Sequence, residues 1–269
     1  MLLDLALPSA FMVAILQILF VLTLIVVVIL LVFQTRRTER LHLPDYAGEL
    51  LQDYVVFYTR LDEEGKKRFG EKMEKFLAGV KITGANAELE DLDLVLIAAA
   101  AVIPVYHIPD WEYINLREIL VYPGHFNTDY EQHGQNRLVS GMVGTGSLEN
   151  VMILSKWELR QGFVDGRSKR NTAIHEFVHL VDKMDGTLDG VPEILLQRKY
   201  VPRWQNLVQE EMERIRSGAS DIDPYGATSP VEFFAVASEY FFEQPETFQA
   251  VHPELHEMLQ RIFIRSSVG

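Results

Sequence analysis

The sequence predicts an α+β fold, and three observations carry that reading. Apolar residues recur at helical spacing in Asp62–Val80, where Phe69, Met73, Phe76 and Leu77 form a core-facing stripe. Two short aliphatic runs read as strands, one within LREILVYPGHF ending near Pro123 and one at Val151–Ser155. Asn171 and Ser229 each stand as a cap before a further apolar helical run.

The front of the chain is a different material. Residues 10–33 are apolar except for Gln17 and Thr23, enough at 1.5 Å per residue to cross about 30 Å of hydrocarbon. The acidic MLLDL start and the lack of a small-x-small cleavage site argue against a cleaved signal peptide. The expected division is therefore residues 1–40 as a transmembrane anchor with a basic juxtamembrane linker, and 41–269 as the folded domain. Arg36, Arg37 and Arg40 follow the span while only Asp4 precedes it, so the positive-inside rule predicts a single-pass protein of a bacterial cytoplasmic membrane with its C-terminal domain in the cytoplasm.

Beyond the linker, LQDYVVFY, Asp62–Val80 and LEDLDLVLIAAAAVIPVY read as helices, the last running toward Pro104. GMVGTG, at residues 141–146, is spaced like a nucleotide loop but follows no clear strand and lacks a GKS/T tail, so it is not assigned to phosphate. With 48% apolar and 23% charged residues the domain should fold, and the absence of cysteine excludes a disulfide framework and Cys-ligated metal. A formal charge of −13 excludes a broad nucleic-acid surface, and RSKR at 167–170 reads as a solvated loop.

The chemistry is concentrated in NTAIHEFVHLVDKMDG. On a helix capped by Asn171, Ile174, Phe177, Val178 and Val181 supply a buried face. His175 and His179, four apart, lie one turn from each other and can reach one ion, while Glu176 is displaced toward a bound water. Two imidazoles leave a catalytic zinc one protein ligand short. DPYGATSPVEFFAVASEYFFEQP offers Glu232 and Glu239, seven apart on an apolar helix where an unpaired carboxylate is costly. Glu232 also stands where it could close a capping box with Ser229, and residue pattern alone leaves the two carboxylates open. Asp182 is a candidate orienting group for a ligand. His107, His125, His133, His252 and His256 have no comparable surroundings and are read as structural or exposed.

These stretches, together with HPELHEML, IAAAAVIPVY, ILVYPGHF and VMILSKWEL, resemble the Mlc titration factor A family of zinc metallopeptidases, itself similar to the anthrax lethal factor catalytic domain. The resemblance implies a zincin-like domain over residues 41–269 with one Zn2+ per chain, held by His175, His179 and Glu232. It further implies Glu176 as the catalytic carboxylate activating zinc-bound water, and Tyr225 of DPYG as a group assisting the transition state. Glu239 matches no ligand in that pattern. The implied activity is hydrolysis of peptide bonds, aminopeptidase-like, on a peptide or protein substrate, with Val151–Ser155 as a strand to pair with that substrate. A membrane-anchored regulatory binding protein with a structural zinc site, acting with a protein regulator, is the alternative.

Overall fold

A computed structural model describes residues 9–35, 41–125, 141–144, 149–164 and 168–264, with the side chains of the first helix described over 13–27. The chain divides into two compact units, Met1–Arg40 and Leu41–Gly269. In the first, the apolar run forms one helix, α1 (Ser9–Thr35). The expected anchor over residues 10–33, and with it the single-pass membrane location, is corrected: among the described residues no helix is long and apolar enough to cross a membrane. Arg36, Arg37, Arg40 and Asp4, on which the orientation rested, lie outside the described residues, as do His133 and Gly146.

The second unit is α+β, with helices around one small sheet. It opens with α2 (Ala47–Tyr54), α3 (Val56–Thr59) and α4 (Glu63–Gly79), then β1 (Lys81–Gly84) and α5 (Asp91–Val102). Asp62 caps α4 by accepting from the Gly65 amide at 2.7 Å, and Phe69, Met73 and Leu77 are buried along it as the spacing predicts. They pack toward α5, whose Ala98–Ala101 run is fully buried. Small side chains there let neighbouring elements come close around the centre of the core. Asp93, buried in the first turn of α5, is neutralised by Arg160 at 2.7 Å and Lys156 at 3.1 Å, as a carboxylate with no solvent requires.

The sheet continues with β2 (Glu118–Tyr122), β3 (Gly141–Val143) and β4 (Val151–Ser155), in spatial order β1-β2-β4-β3. The β1–β2 and β2–β4 pairs are parallel and β3 runs antiparallel to β4, with Met142 opposite Ile153. Both edges of β4 are thus occupied, so Val151–Ser155 has no free main chain for a peptide and the expected pairing on it is corrected. Among the described residues the outer strand next to the site is β3, with no strand paired on its far side. Helices α6 (Lys156–Val164), α7 (Thr172–Asp182), α8 (Val201–Arg216), α9 (Pro230–Glu243), α10 (Pro245–Val251) and α11 (Pro253–Phe263) complete the domain. Helix α7 packs against α9 on one side and β3 on another, which places the HEFVH segment between a carboxylate-bearing helix and a strand edge.

Candidate metal centre

Helix α7 starts where Asn171 accepts from the Ile174 amide at 3.2 Å. Asn171 is itself buried and committed three more ways: its amide nitrogen donates to Glu243 at 2.9 Å and to the Gly162 carbonyl at 3.3 Å, and its backbone N–H donates to Glu239 at 2.5 Å. Ile174, Phe177, Val178 and Val181 are fully buried. On the same helix His175 and His179 hold their rings 4.6 Å apart, nearly perpendicular.

Helix α9 supplies the third group. Ser229 caps it, accepting from the Glu232 amide at 3.2 Å, and Pro230 occupies the first turn, where its missing N–H costs nothing. The Glu232 carboxylate reaches across to α7: one oxygen lies 3.0 Å from Nε2 of His175 and 3.4 Å from Nε2 of His179. One ligand atom from each of the three residues falls within 4.8 Å of the others. Two imidazole nitrogens and a carboxylate oxygen are the donor set of a catalytic zinc with a position left for solvent or substrate. Glu239, one turn pair further along α9, takes a different position, accepting from Nδ1 of His175 at 2.7 Å. That contact fixes the tautomer and leaves Nε2 facing Glu232.

The electrostatics ask for a cation. Burial alone would push the His175 imidazole down, yet Glu239, Glu232 and Glu176 outweigh it and hold the ring charged up to about 10. Burial works against Glu232 ionising as well, but its contacts with His175 and His179 keep its carboxyl well below the ordinary range. A site that binds a proton this firmly has the field to bind a metal in its place. Glu176 is buried and its carboxyl is raised, by burial first, against the pull of the two histidines.

Tyr225 sits on the turn Pro224–Ala227, where Asp223 accepts from its backbone N–H at 2.9 Å. Its ring centre is 6.1 Å from that of His175 and about half of the residue is open to solvent, so the phenol stands at the mouth of the site. Burial and then Glu232 and Glu176 raise its hydroxyl, which stays protonated near neutrality. Asp182 accepts from the Gly190 amide at 2.8 Å, a brace between the end of α7 and the start of α9. There Gly190 has φ +79° and a Cβ would meet the Pro230 carbonyl at 2.4 Å. The other Asp182 oxygen and Nδ1 of His179 are both buried and have no hydrogen-bond partner among the described residues, so the structure does not show the ligand-orienting contact considered for Asp182. His252 is buried and bonds Asp221 at 2.6 Å, a structural role as expected.

One residue of the site carried no functional reading in the sequence. The backbone of β3 passes so close to α7 that a Cβ on Gly141 would lie 2.7 Å from Cγ and Oε1 of Glu176 and 2.9 Å from Thr172. The available signal was a glycine inside an extended run, which marks close approach of another group. It was obscured because GMVGTG looks like a loop.

Comparison with known proteins agrees with this geometry. Residues 32–264 match the family described as glucose-regulated metallo-peptidase M90. An uncharacterized protein of Synechocystis sp. is 30% identical over 236 residues, 82% of this chain and 84% of that one. Proteins called Mlc titration factor A from Escherichia coli and Shigella sonnei are 32% identical over 213 residues, covering 75% of this chain and 79% of theirs. With the match spanning nearly all of its folded unit, the chain belongs to the glucose-regulated metallo-peptidase M90 family.

Proposed function

We propose that residues 41–269 form a zinc-dependent peptidase domain that hydrolyses peptide bonds with an aminopeptidase-like action, with one Zn2+ held by His175, His179 and Glu232. The observation that carries the reading is Glu176: a buried carboxylate beside the donor set but not part of it, with a raised pKa. A structural metal site has no use for such a group, whereas hydrolysis needs a base there. When bound, the metal supplies Lewis acidity toward the attacking water and the scissile carbonyl. Glu176 takes the proton of that water and returns it to the leaving amine. The Tyr225 hydroxyl donates to the oxygen on which negative charge develops. Glu239 keeps His175 in the tautomer that presents Nε2. The open side of β3 gives an extended substrate a row of main-chain donors and acceptors beside Glu176.

The test is Glu176→Gln, which keeps size and removes the base. Peptide hydrolysis should fall by about 10² or more while zinc content and melting are retained. Undiminished turnover in a folded, zinc-loaded variant would remove the mechanism. A second reading, a regulatory binding protein whose zinc is structural, rests on the name Mlc titration factor A borne by relatives. It predicts that Glu176→Gln leaves partner binding intact.

A further inference from the structure

A second concave region lies behind the metal centre. Between α4 and the segment Pro109–Leu116 is a cavity of about 610 Å³, a size typical of small-molecule sites. Phe76, Val102, Tyr113 and Leu116 line it with apolar surface, and Trp111 forms part of the wall.

Three cations and three carboxylates line the cavity, and they are not all paired with one another. Lys75 is paired with Glu112 at 2.9 Å and Glu71 with Lys67 at 4.0 Å. Arg68 and Lys72, by contrast, are held by neutral acceptors, the Tyr106 hydroxyl at 3.2 Å and the Ile108 carbonyl at 2.7 Å, and among the described residues neither forms an ion pair. Of the lining carboxylates only Asp110 is left to face these two cations. Arg68 and Lys72 are thus the lining cations with no carboxylate at ion-pair distance among the described residues. Burial, and then Lys75, hold the Lys72 ammonium below its ordinary value, against the pull of Asp110.

We propose that this cavity binds a small amphiphile bearing one negative charge, its apolar body against Phe76, Tyr113 and Leu116 and its anionic head between Arg68 and Lys72. The wall is one ring away from the metal-binding helix: Phe76 and Tyr113 contact Phe177, the neighbour of Glu176, at centroid distances of 5.6 and 5.3 Å. An occupant therefore presses on α7 from the face opposite its histidines without touching any residue of the metal centre.

Octanoate is the probe, titrated into the full chain by calorimetry, with octan-1-ol as its uncharged counterpart. Two variants address the cavity: Gly79→Trp, since a Cβ on Gly79 meets nothing within 4 Å, and Lys72→Gln at the mouth. The expected result is saturable binding of octanoate, at least tenfold tighter than octan-1-ol. Each variant that melts with the parent should weaken octanoate tenfold or more, and Lys72→Gln should also erase the preference over the alcohol. Equal octanoate affinity in the parent and in both variants would place binding elsewhere on the chain and overturn the proposal. So would the absence of saturable binding, or an alcohol that binds as tightly as the acid.

Discussion

Gly141 and Glu176 are separated by 35 positions in sequence and by less than a methyl group in space. Gly141→Ala should displace the Glu176 carboxylate and lower peptide hydrolysis by about tenfold or more. Zinc content should stay unchanged, because none of the three donors is touched; turnover and metal measured on one sample decide it. The two carboxylates of α9 separate in the opposite way. Glu232→Ala removes a donor and should abolish zinc retention, whereas Glu239→Gln leaves the donor set whole and frees the His175 ring. Zinc affinity of the latter should fall by about 10–100-fold, read by competition with a chelator. At this scale the sequence was informative where spacing constrains chemistry: His175 and His179 one turn apart meet whatever lies opposite them. Residue pattern did not rank Glu232 against Glu239, since seven positions on a helix leave both on one face. The choice depends on how far α9 slides along α7, a tertiary quantity. Gly141 was illegible for the same reason.

The pair α7 and α9 is held by polar contacts that are buried, which makes its stability sensitive to charge. Glu243, one turn beyond Glu239 and bonded to Asn171, is pushed up to about 7 by burial against the pull of the Asn171 amide, with Glu239 adding to the push. The folded chain thus binds a proton there that the unfolded chain releases near 4.5, so this group's contribution falls as pH rises from about 4.5 to 7 and is flat above. Glu243→Gln keeps an acceptor for Asn171 and should be the more stable protein at pH 8, by on the order of 1–3 kcal/mol. Denaturant titrations at pH 5 and pH 8 should show that gain shrinking at the lower pH. Among elements, helices with caps and stripes were the legible ones: Asn171 and Ser229 each cap as expected. β4 was found at its observed limits. β1 and β3 were not anticipated, being four and three residues long with a glycine at one end of each. Runs that short contain too few alternations to show a period, and without β3 in view β4 was given the pairing with an extended peptide.

For the molecule as a whole, metal binding and folding should be coupled. Three donors from two helices are brought together only in the folded state, so an ion bound there stabilises that state by about 2.7 kcal/mol at a hundredfold excess over Kd. For a domain of this size the melting temperature should rise by on the order of 5–10 °C with zinc and fall back with chelator. Glu232→Ala should show no such shift in the same scans. The α+β class was readable from the balance of helical stripes and short strands, whereas the reading of residues 10–33 as a membrane span was not upheld. The sheet order leaves a last consequence. An open strand edge invites any extended chain, including another copy of this one, and long flat edges are where proteins stack into fibres. β3 offers three residues, led by a glycine and backed by α7, so a guest strand gains only a few main-chain bonds. Such an edge is too short to seed a growing stack.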